Sequence, residues 1–183
     1  MQDMSIRLAT AADLAAINDI YNYYVLRSTC TYQTQPDTPE SRRTWFAHHG
    51  TRHPVTVALR GGAEGGGSEI VGWGALSAFH PRAAYAPTVE DSVYVRQDAL
   101  RQGVGGALLD DLISRARRLG HHSIVALIDA EQTGSVTIHG ARGFAPAGHL
   151  REVGRKFERW LDVIYMQLSL APEAGAASQS AAT

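Results

Sequence analysis

The order of apolar and polar residues along the chain predicts seven strands and four helices. Two-residue alternation or a short apolar run indicates strands around Ile6 and Leu8 and over residues 55–59, 70–79, 88–95, 123–128, 149–153 and 162–170. Helical spacing and end signals indicate one helix opened by Thr10 to Asp13, one opened by Thr38, Pro39 and Glu40, and two more over residues 103–119 and 135–142. This order predicts an α+β (mixed α/β) fold with hairpins and one strand–helix–strand crossover.

Glycine and small polar residues mark the segments that we expect to be mobile. Residues 60–69 contain five glycines and predict a long, mobile hairpin connection. Residues 171–183 are mostly Ala, Ser, Gly and Gln, and they predict a disordered tail because they offer little apolar surface to bury. Residues 1–170 are therefore expected to form one domain. Gly120 and Gly143 are placed to end the third and fourth helices.

Composition narrows the class of protein. The 183 residues are 44% hydrophobic and 19% charged, with a formal net charge of −1, so we expect no nucleic-acid partner. Cys30 has no second cysteine for a disulfide or a zinc pair, and no segment matches a signal peptide or a membrane-spanning helix. We therefore expect a cytoplasmic chain that contacts no membrane, with Met1 and Met4 both open as the natural start.

A glycine-rich loop between a strand and the longest predicted helix is the sharpest single feature. It reads Leu100-Arg101-Gln102-Gly103-Val104-Gly105-Gly106, and the free N–H groups of the following helix turn favour an anion such as phosphate. The loop lacks the Gly-Lys-Ser/Thr of a Walker sequence and the third glycine of a dinucleotide fingerprint. Taken alone, it is also compatible with a plain glycine-rich helix entry.

The strand before this loop carries a polar face. Alternation places Thr88, Glu90, Ser92 and Tyr94 on one side and Val89, Val93 and Val95 on the other. A solvated antiparallel face and an active-site wall both fit this pattern. Asp91 falls on the apolar side, and we expect a β-bulge there.

Together these residues resemble the GCN5-related N-acetyltransferase (GNAT) family, and more closely its branch of phosphinothricin and methionine sulfoximine acetyltransferases. The resemblance runs from Ser5 to about Leu170. It is carried by Ile20-Tyr21-Asn22, the strand of residues 88–95, Arg101-x-Gly-x-Gly, residues 135–139 with Gly143-Phe144, and Gly154-x-Lys156-Phe157-x-Arg159-Trp160-Leu161-Asp162. Two positions depart from the family pattern, Leu100 (usually Gln or Arg) and Gln132 (usually Asn).

The resemblance implies a GNAT fold, a central, mostly antiparallel sheet of about seven strands flanked by about four helices, and acetyl-CoA as co-substrate. It implies that the cofactor is bound by Val93, Val95, Arg101, Gln102, Gly103, Val104, Gly105, Gly106, Gln132 and Ser135. It assigns Glu90 as general base, with His139 and Tyr94 as further catalytic candidates. Substrate contacts are expected from Tyr32, His80, Arg82, Tyr85 and Ser92, with Thr31 on another wall. Lys156 and Trp160 become candidates for closing the site or for the contact of a homodimer.

The expected activity is transfer of acetyl from acetyl-CoA to the free amine of a small amino-acid-like substrate of the phosphinothricin, methionine sulfoximine or methionine sulfone type. The amine would attack directly in a ternary complex. Two alternatives stay open: a non-catalytic acyl-CoA-binding module, and an acetyltransferase for a protein N-terminus, an antibiotic or a polyamine. Arg82 favours an acidic acceptor. No metal is expected, since the pairs His48-His49 and His121-His122 lack further ligands and are interpreted as surface residues.

Overall fold

The computed structural model describes residues 4–61 and 67–170. Its strands are β1 (Met4–Leu8), β2 (Val55–Arg60), β3 (Glu69–Ala78), β4 (Thr88–Val95), β5 (Ser123–Asp129), β6 (Ala145–Lys156) and β7 (Arg159–Ser169). Its helices are α1 (Leu14–Arg27), α2 (Pro39–Ala47), α3 (Val104–Arg118) and α4 (Thr133–Gly140). The predicted element order and the mixed α/β class are thereby confirmed.

All seven strands form one sheet in the order β1-β2-β3-β4-β5-β7-β6. Every neighbouring pair is antiparallel except β4 and β5, which are parallel and are joined by α3. A parallel pair needs a crossover connection, and α3 supplies it. The sheet is therefore mostly antiparallel with one parallel step at its centre.

Helices cover both faces of the sheet. On one face, α1 and α2 pack over Trp73, Ala75 and Val57. On the other, α3 and α4 pack over Leu76, Val89 and neighbouring strand residues. The two faces share strand β3 because successive side chains of a strand point in opposite directions. A Cβ at Gly72 would lie 3.1 Å from side-chain carbons of Leu108 and Val104, so this glycine lets α3 approach the sheet closely.

The two central parallel strands separate after three residue pairs. Their ladder joins Thr88, Val89 and Glu90 to Ser123, Ile124 and Val125, and it ends there. Beyond Glu90, β4 continues along β3 up to Val95. The gap that opens between β4 and β5 creates a passage through the sheet.

Several local predictions are corrected. The β3–β4 register runs from Gly72–Val95 to Ala78–Val89 with no shift, so the β-bulge expected at Asp91 is wrong. The strand placed at residues 149–153 is longer, spanning Ala145–Lys156, because it pairs with β7 along almost its whole length despite two register shifts. His121 is buried, not on the surface: after the left-handed Gly120 (φ +73°) the chain turns into the sheet, and Nε2 lies 2.8 Å from the Arg52 carbonyl oxygen.

Other expectations lie outside the described residues. These are the tail over 171–183, residues 62–66 of the glycine-rich connection, and Met1 to Asp3. Within the described ranges, no helix has the length and apolar character that crossing a membrane requires. The same ranges hold no group of three or more His, Cys, Asp or Glu side chains placed to share a metal ion.

Candidate active site

A cavity of about 760 Å³ occupies the gap between β4 and β5. Its walls come from both faces of the sheet: α1, α2 and residues 30–33 on one side, and the start of α3 with α4 on the other. Fourteen of the predicted site residues line it, namely Tyr32, Glu90, Ser92, Val93, Tyr94, Val95, Arg101, Gly103, Val104, Gly105, Gly106, Gln132, Ser135 and His139. Sequence positions far apart are thus brought to one passage.

The glycine loop reaches the cavity with the first turn of α3. Gly103 has φ +86° and caps the helix, a conformation that glycine adopts without steric cost. The first amide of this turn to donate to a backbone carbonyl of the helix is that of Ala107, to Gly103. The amides of Val104, Gly105 and Gly106 therefore precede the helical ladder and are available to an anion. A Cβ at Gly105 would lie 3.4 Å from Val95, so this glycine keeps the lining open.

Gln102, in contrast, does not line the cavity. Its side-chain Nε2 donates to the Asp98 carbonyl oxygen at 2.8 Å, and its Oε1 faces Arg60. Arg101 adopts φ +59°, an unusual conformation for a residue with a Cβ, and it contributes to the lining. The loop therefore offers backbone amides and Arg101 to a ligand, while the Gln102 amide braces the loop.

Three polar side chains of β4 form one wall. Glu90, Ser92 and Tyr94 lie on the face covered by α1 and α2, and Tyr94 stacks on Trp73 with 4.8 Å between ring centroids. Burial, and then the charge of neighbouring Asp91, raises the pKa of Glu90. Burial also raises the pKa of Tyr94. A carboxylate with a raised pKa is a better proton acceptor for chemistry near neutral pH than an ordinary one.

The opposite side of β4 holds a buried ion pair. His139 Nε2 lies 3.1 Å from Asp91 Oδ2, and both side chains are at most 4% exposed. His139 Nδ1 lies 2.7 Å from the Ser135 carbonyl oxygen. Burial opposes the charged ring, but the hydrogen bond and the charge of Asp91 outweigh it, so the pKa of His139 is raised. Asp91 therefore fixes α4 against β4.

A polar network connects the segment after α1 to β5, β6 and β7. The Tyr32 hydroxyl donates to Asp129 Oδ2 at 3.1 Å and lies 3.0 Å from the Asp162 carbonyl oxygen. Lys156 Nζ donates to the carbonyl oxygens of Ser28 and Thr31, each at 2.7 Å. Burial lowers the pKa of Lys156. Lys156 thus fixes the segment after α1 that forms part of the cavity wall.

Gln132 and Ser135 occupy the cavity end of α4. The Gln132 amide nitrogen lies 3.3 Å from Thr29 Oγ1, and Ser135 Oγ lies 3.4 Å from His139 Nδ1. The glutamine that departs from the family pattern therefore bonds within the protein, although it still lines the cavity.

Arg42 is a lining residue that sequence reasoning missed. Its guanidinium is 3% exposed, lies 2.8 Å from Asp37 Oδ2, and sits over the rings of Tyr21 and Trp45 at 4.5 and 4.7 Å. Burial lowers the pKa of Arg42, with Asp37 opposing the shift. The only sequence signal is its place three residues before Trp45 on α2, where the two side chains share one helix face.

Some predicted residues stay away from the cavity lining. His80, Arg82 and Tyr85 lie on the connection from β3 to β4, where the rings of His80 and Tyr85 pack at 4.7 Å and Arg82 is exposed. Trp160 is 61% exposed on the β6–β7 hairpin. Within one copy of the chain, none of these four side chains contributes to the lining.

Comparisons with known proteins agree with this geometry. Residues 6–165 match the family model described as an acetyltransferase (GNAT) domain. An L-methionine sulfoximine/L-methionine sulfone acetyltransferase from Pseudomonas aeruginosa is 38% identical over 169 residues, which cover 92% of this chain and 95% of that protein.

Two of the solved structures that are similar to this chain contain acetyl-CoA. A putative acetyltransferase from Salmonella typhimurium with its cofactor acetyl-CoA has a TM-score of 0.85 and 34% identity, covering 96% of this chain and 99% of that one. A phosphinothricin acetyltransferase from Sinorhizobium meliloti in complex with acetyl-CoA has a TM-score of 0.84 and 34% identity, with 97% of both chains covered.

Proposed function

Since the chain belongs to the GNAT family and is an acetyl-CoA-dependent N-acetyltransferase, we propose that it acetylates the free amine of a small amino-acid-like substrate. The preferred acceptors would be of the methionine sulfone, methionine sulfoximine or phosphinothricin type. The observation that carries this proposal is the passage between β4 and β5, which has an anion-binding helix start on one face and Glu90, Ser92 and Tyr94 on the other.

The cavity residues fit acetyl-CoA as co-substrate. The amides of Val104, Gly105 and Gly106 and the side chain of Arg101 suit its pyrophosphate. Val93, Val95, Gln132 and Ser135 lie along the α3–α4 side of the passage and suit its pantetheine arm. Acetyl-CoA supplies the acetyl group as a thioester, and the amine would arrive from the opposite face.

Glu90 is proposed as the general base. The overall reaction of a protonated amine with the thioester yields an amide, a free thiol and one released proton. Glu90 removes a proton from the ammonium group, directly or through water, so that the amine nitrogen can attack the thioester carbonyl. The carbon–sulfur bond then breaks. The Tyr94 phenol stays protonated because burial raises its pKa, and it can donate a proton to the departing sulfur. The attacking nitrogen loses its second proton as the amide forms, and this proton restores the Tyr94 phenol.

The remaining predicted residues receive supporting roles in this proposal. Ser92 and Tyr32 bound the acceptor pocket, and His139 positions α4 at the acetyl end through Asp91. His80, Arg82 and Tyr85 follow Ser77 and precede Glu90 in the chain, and we propose that this connection binds the acceptor carboxylate.

We also propose that residues 1–170 are one domain and that the enzyme is a homodimer. The exposed side chains of Leu150, Val153, Phe157 and Trp160 on β6 and the β6–β7 hairpin would then lie in the contact.

A thiol-release assay with a panel of acceptors tests the substrate class. Methionine sulfone and phosphinothricin should be acetylated with kcat/KM at least about 100-fold above a polyamine or an aminoglycoside, since only the former carry a carboxylate that can pair with Arg82. The methyl ester of methionine sulfone is the matched control, because it keeps the amine and removes the carboxylate charge. Equal rates for the ester and the acid, or faster reaction of the polyamine, would contradict the proposed acceptor.

A further inference from the structure

A second cavity lies where the end of α2, the start of β2 and the end of α3 meet. It has a volume of about 410 Å³ and is lined by Leu8, Phe46, Val55, Leu119 and several polar residues, among them His49 and His53. His49 follows α2, which also contributes to the active-site wall. The end of α2 therefore borders both cavities, with Trp45 lining the first and Phe46 and His49 lining the second.

A hydrogen bond joins the two cavities. His49 Nε2 lies 3.2 Å from Ser77 Oγ, and Ser77 lines the active-site cavity while His49 lines the second one. His49 Nδ1 lies 2.8 Å from the Trp45 carbonyl oxygen, so Nδ1 carries the proton and Nε2 accepts from the Ser77 hydroxyl. The ring also packs on the Trp45 ring, with 4.3 Å between ring centroids.

Ser77 is also the cross-strand partner of Glu90. The two residues are directly opposite in the β3–β4 ladder, on the same face of the sheet. Cβ atoms of such pairs lie about 4.5–5.5 Å apart. The Ser77 hydroxyl is bonded to His49, and at this separation one water can bridge it to the Glu90 carboxyl group.

The reaction releases one proton per turnover, and this proton must leave a cavity that both substrates fill. We propose that Ser77 and His49 form a relay that carries this proton from Glu90 to solvent in the second cavity. Protonated Glu90 donates to the bridging water, this water donates to Ser77 Oγ, and the Ser77 proton passes to His49 Nε2. The imidazolium then turns Nε2 towards the second cavity, loses that proton to water and returns with Nδ1 still protonated, so the neutral tautomer that accepts from Ser77 re-forms. This relay rests on the proposed role of Glu90.

The surroundings of His49 suit a transient proton carrier. Burial lowers the pKa of His49, the Trp45 carbonyl opposes this shift, and the charges of His53, Arg42 and His48 add to it. The ring is therefore neutral near pH 7 and ready to accept. Partial exposure to the second cavity lets water remove the proton again.

Chemical rescue tests the relay. His49→Ala should lower kcat about tenfold with KM for both substrates within twofold, a part of the ~10²–10⁴-fold that general acid–base catalysis contributes. Imidazole added to this variant should restore at least half of the rate, because the second cavity is open to solvent. 1,2,4-Triazole has the same shape as imidazole but is a much weaker base, so it should not restore the rate of His49→Ala. His48→Ala, an exposed neighbour, is the matched control and should keep the wild-type rate.

Variants of Ser77 test the relay independently, because they do not require that His49→Ala folds correctly. Ser77→Ala should show the same decrease in kcat as His49→Ala, and imidazole should not restore it. Ser77→Thr keeps the hydroxyl and should retain the wild-type kcat. A wild-type kcat for His49→Ala and Ser77→Ala would overturn the relay, as would equal rescue by both azoles. If Glu90→Gln is slow while both relay variants stay fast, the relay alone fails. If Glu90→Gln keeps the wild-type rate, the proposed base fails.

Discussion

Glu90→Gln should lower kcat by about 10²–10⁴-fold while acetyl-CoA binding stays within twofold of wild type. The amide cannot take a proton from the ammonium group, but it keeps the size of the side chain and its place on the cavity wall. Steady-state thiol release measures the rate, and calorimetric titration measures the affinity for acetyl-CoA. Glu40→Gln, at the exposed start of α2, is the control and should behave as wild type.

The pH profile should carry the signature of the same residue. Glu90 must be ionised to act, and its pKa is raised, mainly by burial. The wild-type kcat/KM should therefore fall as pH drops through a value above the ordinary carboxyl range, and this acid limb should be absent in Glu90→Gln. A variant with the wild-type rate, or one that keeps the acid limb, would remove Glu90 from the role of base.

Asp91→Ala should destabilise the fold by about 3–5 kcal/mol, because removing one partner of a buried ion pair leaves the other uncompensated. Asp91 and His139 are almost fully enclosed, so solvent cannot replace the lost carboxylate. Urea unfolding at pH 6 measures the difference in free energy. Asp111→Ala breaks the more exposed ion pair with Arg115 on α3 and should cost only about 0.3–0.5 kcal/mol.

The loss of unfolding free energy caused by Asp91→Ala should depend on pH in a defined direction. The folded-state pKa of His139 is raised above its usual 6.5. Its charge therefore stabilises the fold fully below about 6.5, and this contribution disappears as pH rises through the raised value. Asp91→Ala should consequently cost more at pH 6 than at pH 9. A penalty under 1 kcal/mol, or one that grows with pH, would contradict the buried ion pair.

The fold was largely predictable because its signals are local. The helical spacing after Gly103, the alternation on β4 and the glycine at the end of α3 each depend on a few neighbouring residues. The length of β6 was not predictable, since its outer residues are held by pairing with β7 and not by an apolar repeat.

The site was only partly predictable because its contacts join distant positions. Asp91 and His139 are 48 residues apart, and the sole signal is a carboxylate on an apolar strand face, a pattern that also predicts a bulge. Arg42 reads as an ordinary charged position of α2, and only the folded chain brings it over Tyr21. The link from Ser77 to His49 spans 28 residues and has no sequence pattern.

The most direct test of the central claim is a mass balance on the wild-type enzyme with acetyl-CoA and methionine sulfone. Thiol is quantified as it is released, and the product and the protein are weighed by mass spectrometry. We predict one N-acetylated methionine sulfone for each thiol, no release without the amine, and an unchanged protein mass at every time point. Thiol release without an acetylated amine, or an acetyl group on the protein during turnover, would contradict direct transfer in a ternary complex.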